Sequence, residues 1–132
     1  MKKKVLITTG GSGGHVIPAT TFYDHLKDNF EIFLITDKRG IKFIDKNKYT
    51  FNTIDTPHLT KNLFTIPINL IIFLLSIIKA FFFIKKNKIQ IIISTGGYMS
   101  LPICIAAKLL NCRIFLFEPN MIIGRSNLFF LK

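Results

Sequence analysis

The sequence contains no tryptophan, only two cysteines and only 7 acidic residues among 132. Each scarcity excludes something. Cys104 and Cys112 have neither a further cysteine nor a histidine at metal-ligand spacing. A disulfide scaffold and a structural zinc site are therefore excluded, and buried, reduced thiols are expected. The shortage of Asp and Glu against 18 Lys and Arg leaves a net charge of +11. That balance favours anionic partners such as acidic lipid headgroups, phosphorylated substrates or nucleic acid. No finger, helix-turn-helix or aromatic-basic signature accompanies the charge, so nucleic acid is set aside. The start MKKKVLITTGG has basic residues but too short an apolar run for a secretory signal. It reads as the first β-strand of a cytosolic chain.

What is present is apolar: 49% of residues are hydrophobic and the mean hydropathy is +0.41. The length suits one domain. Apolar strand-like runs at 4–9, 31–36, 90–95 and 113–118, with a more exposed one at 49–55, alternate with helical patterns. The helical stretches are 18–29, a short 39–47, the long apolar run 63–84 and 103–111. Such alternation predicts an α/β fold with a doubly wound parallel sheet. The ending GRSNLFFLK reads as a helix capped by Ser126 or Asn127 and cut after one turn. Its uncovered apolar residues predict the front part of a larger protein, or one half of a split one.

Three features follow directly on three expected strands: GGSGGH after Thr9, GGYMS after Thr95, and Glu118-Pro119-Asn120. In an open parallel sheet the carboxyl ends of the strands share one crevice, so these segments should converge. The first loop fails the dinucleotide fingerprint, because starting at Gly11 the final glycine position holds Val16. It also fails the P-loop pattern, since no Lys follows the glycines. Exposed backbone N–H groups at a helix start still suit a phosphate or diphosphate. A plain tight strand-to-helix turn would use the same glycines. His15 is placed as a general base or a positioned histidine. Glu118 and Asn120 are placed as ligands of a polar group, as orienters of His15, or, for Glu118, as a satisfied strand-end acid. Tyr98 or Ser100 could donate to an oxyanion. His25 and His58 read as surface residues.

The apolar stretch ends in Lys85, Lys86 and Lys88 and approaches the length that spans a bilayer. A span would break a βαβ crossover. A crossover helix whose surplus apolar face, including Ile72, Phe73 and Leu75, dips into the interface while Lys85 and Lys86 meet acidic headgroups fits better. An ordinary buried helix is the plainer alternative.

These motifs, GGSGGHVIP, GGYMSLP and FEPNMIIGRSN, resemble in kind and order those of the MurG-type family of lipid-linked N-acetylglucosaminyltransferases. The resemblance covers essentially the whole chain, as the amino-terminal, acceptor-binding and membrane-associating half (1–132) of a two-domain GT-B enzyme. The carboxy-terminal donor domain lies outside this chain. It implies transfer of N-acetylglucosamine from UDP-N-acetylglucosamine to an undecaprenyl-diphosphate-linked muramoyl-pentapeptide, lipid I to lipid II, at the cytoplasmic face of the plasma membrane, peripherally bound. The implied chemistry is inverting, in one displacement, with no cofactor and no metal. Carried over, Gly11, Ser12, Gly13, Gly14 and Gly97 face the acceptor diphosphate, and His15 deprotonates the acceptor hydroxyl. Glu118 and Asn120 line the cleft, with Tyr98, Ser100 and Asn127 completing the acceptor site. Phe117 stands where the family has a histidine. A non-catalytic, membrane-docked module that recruits a separate glycosyltransferase subunit is the alternative.

Overall fold

In the computed structural model, which describes residues 2–57 and 65–131, five parallel strands form one sheet. They are β1 (Lys4–Thr8), β2 (Glu31–Thr36), β3 (Asn52–Thr53), β4 (Ile91–Ser94) and β5 (Arg113–Leu116), in the order β3-β2-β1-β4-β5. Central β1 is apolar at consecutive positions because both of its faces are covered. Val5 and Ile7 point to one face, where they pack with Leu34 against Val16 and Ala19 of α1 (Gly13–Leu26). Leu6 points to the other, with Ile35 and Ile92. There it meets Ala80 and Ile84 of α2 (Ile66–Asn87) and Ile103, Ala106 and Ala107 of α3 (Ser100–Leu109). α4 (Arg125–Phe130) ends the described chain. The strand order reverses between β1 and β4, and the crevice beyond their carboxyl ends is the topological switch point.

Several boundaries differ from the sequence reading, each for a local reason. α1 starts at Gly13, five residues before Pro18, so the glycines form its first turn rather than a preceding loop. Ser12 is extended (φ −133°, ψ 162°) and its carbonyl accepts from the His15 and Val16 N–H groups. Pro18 sits within the helix and withholds one donor from the Gly14 carbonyl. The expected helix at 39–47 is a single 3-10 turn at Gly40–Phe43. The expected strand at 49–55 pairs only at Asn52 and Thr53, on the sheet edge. α4 is capped by Gly124 instead of Ser126 or Asn127. His58 and the first residues of the apolar stretch, 63–64, lie outside the described residues. Cys104 is buried and Cys112 half-buried, both as free thiols.

α2 is long and apolar enough to cross a membrane, with a mean hydropathy of 2.3 over its best window. Its connections argue otherwise. It joins β3 to β4, two strands of one sheet, and Ser76 donates to the Asp55 carbonyl at 2.8 Å beside the exit of β3. A single span would carry those strands to opposite sides of the bilayer. Instead, α2 buries Ser76, Ala80 and Ile84, half-buries Phe73, Ile77, Phe81 and Phe83 beside them, and leaves the opposite face outward.

Candidate functional site

The two glycine loops meet back to back in the crevice. Gly97 has φ +86°, and a Cβ there would lie 2.7 Å from the Gly10 carbonyl oxygen. Gly96, at φ +90°, lies against the His15 ring, 3.1 Å from a would-be Cβ, with Asn127 on its other side. Glycine at 96 and 97 is thus required by both dihedral and space.

Asp37, at the carboxyl end of β2, shapes the first loop. Its buried carboxylate accepts from the Gly11 N–H (3.1 Å) and Gly40 N–H (2.8 Å) through Oδ1. Oδ2 accepts from Arg39 Nε (2.8 Å) and pairs with Nη2 (2.7 Å). Burial alone would raise its pKa, but these hydrogen bonds and the adjacent guanidinium outweigh burial and hold the carboxyl below its ordinary value. With Gly11 N–H committed, the amides of Ser12, Gly13 and Gly14 are left at the start of a 14-residue helix. No acceptor among the described residues reaches them. Ser12 and Gly14 are exposed, so these donors open to solvent at the positive end of the helix dipole. The half-exposed Phe43 ring packs on Gly13, where a Cβ would come within 3.2 Å of it.

His15 is in the first turn of α1, half-buried. Its Nδ1 lies 2.7 Å from the Thr95 carbonyl oxygen, while the Thr95 hydroxyl donates to the His15 carbonyl at 2.8 Å. A carbonyl only accepts, so Nδ1 carries the proton and Nε2 keeps a lone pair.

The β5 side is organised around Glu118. Its carboxylate accepts from the Gly124 N–H (2.7 Å), the Asn120 side chain (2.9 Å) and backbone (3.2 Å), and Asn127 Nδ2 (3.1 Å). Partial burial pushes its pKa up, yet these four donors bring it below the ordinary glutamate value. Glu118 and Asn120 therefore hold the segment 118–127 together, and no hydrogen bond connects Glu118 to His15 among the described residues. The expectation that Glu118 orients His15 is replaced by Thr95 in that place. Asn127 also donates to the Phe117 carbonyl (3.3 Å), which ties α4 to the end of β5.

In the second loop the Ser100 hydroxyl is buried and donates to the Gly97 carbonyl at 2.7 Å, so it shapes the turn rather than facing the crevice. Tyr98 is half-buried, its phenol pushed up by burial, and its ring faces Phe73 of α2 at 6.4 Å. Phe73 is thus half-buried against Tyr98, whereas Ile72 and Leu75 are exposed, as are Lys85 and Lys86. No cluster of metal-ligating side chains occurs among the described residues. Sequence reasoning missed Asp37 and Thr95. Asp37 was visible only as an acid after a strand, and Thr95 acts through its backbone carbonyl, which no side-chain pattern reports.

A doubly wound parallel sheet with a glycine-built helix start and a carbonyl-locked histidine at its switch point defines an α/β domain of the nucleotide-sugar transferase kind in fold. The chain belongs to glycosyltransferase family 28, whose N-terminal domain matches residues 5–132. It is 53% identical over its whole length to a protein of Pelagibacter ubique, of which it covers 37%. That relative is named UDP-N-acetylglucosamine--N-acetylmuramyl-(pentapeptide) pyrophosphoryl-undecaprenol N-acetylglucosamine transferase. A Wolbachia (Brugia malayi) protein of the same name is 35% identical over 97% of the chain, which covers 36% of it. The crystal structure of Acinetobacter baumannii MurG shares the fold with a TM-score of 0.81 at 22% identity, over 96% of this chain and 38% of that one. The chain thus spans little more than a third of the length of these relatives.

Proposed function

We propose that this chain is the acceptor-binding, membrane-docking half of a transferase that moves N-acetylglucosamine from UDP-N-acetylglucosamine to an undecaprenyl-diphosphate-linked muramoyl-pentapeptide. The observation that carries the reading is that the first turn of α1 holds both His15 and the amides of Ser12, Gly13 and Gly14, which no acceptor among the described residues reaches. Ser12, Gly13 and Gly14 hold the acceptor diphosphate with backbone donors and the helix dipole. His15 Nε2 takes the proton of the acceptor hydroxyl as its oxygen attacks the anomeric carbon, and UDP leaves from the opposite side with inversion. The Thr95 carbonyl stabilises the resulting imidazolium through Nδ1–H. The donor sugar nucleotide is bound by the second domain that the family resemblance implies.

Docking on the cytoplasmic leaflet rests on α2. Its outward row of Ile68, Ile71, Leu75, Ile78 and Phe82 is exposed, with Lys85 and Lys86 at its end. Such a face is suited to the acyl boundary with lysines at anionic headgroups. The test is a chimera in which residues 1–132 replace the matching segment of the Pelagibacter ubique relative. Transfer from UDP-N-acetylglucosamine to the lipid-linked acceptor is expected within about tenfold of the parent, an activation difference of about 1.4 kcal/mol. A folded chimera that binds membrane but transfers nothing would favour the recruiting, non-catalytic module.

A further inference from the structure

A crossover helix returns the chain from the carboxyl end of one parallel strand to the amino end of the next, so α2 runs antiparallel to the sheet. Its first turns therefore lie at the crevice end. Lys86 is 18 residues beyond Ile68, about 27 Å along the helix. From Ile66 to Ile78 no side chain carries a charge, so the end of α2 nearest the crevice is its most apolar part.

Phe73 leaves the exposed row there and faces Tyr98, their ring centroids 6.4 Å apart and their planes tilted by 38°. Tyr98 follows Gly97, whose backbone abuts Gly10 at the base of the amide cradle. The pair thus stands between a site for an anion and a surface for acyl chains. The other two tyrosines, Tyr23 and Tyr49, meet edge to face at 5.3 Å on the α1 face of the sheet and take no part. Tyr98 is half-buried, and that partial burial pushes its phenol above the ordinary value.

Resting on the diphosphate reading above, we propose that Phe73 and Tyr98 form the seat for the first isoprene units of a prenyl diphosphate. Such a ligand joins its anion directly to an unsaturated apolar chain, so the surface beside the cradle has to be apolar and flat. Two tilted rings provide that for an allylic double bond. The seat would select the lipid by its first units, while the outer face of α2 meets the bilayer without regard to the ligand.

The experiment is calorimetric titration of the chain, without vesicles, with inorganic diphosphate, farnesyl diphosphate and farnesol. Farnesyl diphosphate is expected to bind at least tenfold tighter than inorganic diphosphate. Phe73→Ala should reduce that advantage to under threefold while leaving the affinity for inorganic diphosphate unchanged; Tyr98→Ala should reduce the advantage as well, and Tyr98→Phe should retain it. Circular dichroism establishes that each variant is folded. An advantage that survives both alanine variants overturns the proposal but leaves the cradle standing. Equal losses of farnesyl diphosphate and of phosphatidylglycerol vesicles would make the rings a bilayer contact, which also overturns it. No binding of inorganic diphosphate by the parent chain removes the cradle reading and the seat with it.

Discussion

His15 and Thr95 hold each other twice, through an imidazole Nδ1 at 2.7 Å from the Thr95 carbonyl and a Thr95 hydroxyl at 2.8 Å from the His15 carbonyl. The second bond fixes the backbone of the first helical turn, and the first fixes the ring upon it. Thr95 is in turn anchored to β1 by its N–H on the Thr8 carbonyl at 3.1 Å. The ring orientation therefore depends on the alignment of β1 with β4, the two strands flanking the switch point. A side chain positioned by two adjacent strands has little freedom left to lose when a ligand arrives.

Two of the three positive-φ glycines, Gly11 and Gly97, should respond differently to alanine. Gly11 has φ +85° but faces open space, so Gly11→Ala should cost about 1 kcal/mol for the left-handed backbone alone. Gly97 adds a collision with the Gly10 carbonyl, and Gly97→Ala should cost about 3 kcal/mol or prevent folding. Urea unfolding of the two variants checks the order.

Asp37 should govern part of the acid stability. Its folded pKa lies below the ordinary value of 3.8, so the charged form is favoured in the native state. The stabilisation is fully present above the ordinary value and fades as pH falls through the lower folded one. Asp37→Asn should flatten that acid limb and cost about 1–3 kcal/mol at neutral pH, because the charge-assisted bonds from the Arg39 guanidinium to the Asp37 carboxylate are weakened. Asn keeps an oxygen for the Gly11 and Gly40 amides, so Asp37→Ala should cost more. Denaturant titrations between pH 3 and 7 measure both effects.

Membrane docking should depend on the outward face of α2 rather than on Phe73. Replacing Ile68, Ile71 and Leu75 with Ser should weaken binding to phosphatidylglycerol vesicles by more than tenfold, given about 1.5 kcal/mol or more for each buried side chain. Removing Lys85 or Lys86 should cost about fivefold each, from about 1 kcal/mol per lysine at the surface, and the loss should shrink with added salt. Vesicle sedimentation distinguishes these arms. Unchanged binding by the triple variant would leave α2 as a core helix only.

The four main strands were legible because each is a continuous apolar run between turn residues, and their alternation with helices carried the fold class. The start of α1 was not. Gly13 and Gly14 have poor helix propensity, and what admits them is tertiary: the Phe43 ring occupies the space of a Gly13 Cβ. The convergence of the three motifs was legible from strand order alone, as was the placement of His15 beside the glycines. Its partner was not, since the bond runs to a backbone carbonyl 80 residues away. The partners of Glu118 were equally hidden. A carboxylate after a strand reads as facing a ligand, while three of its four donors come from Asn120 and Gly124 of the following loop and the fourth from Asn127 of α4. Phe73 sits in an unbroken apolar run, where periodicity cannot show which residue turns toward Tyr98.

The central claim is that His15 Nε2 accepts the acceptor proton beside a diphosphate held by the first turn of α1. Its most direct test is turnover of the chimera carrying His15→Gln, measured alongside its binding to phosphatidylglycerol vesicles. Turnover should fall by about 10²–10⁴-fold, the usual contribution of a general base, while vesicle binding stays at the parent level. Turnover within a few-fold of the parent in a folded variant would contradict the assignment of His15 as the base.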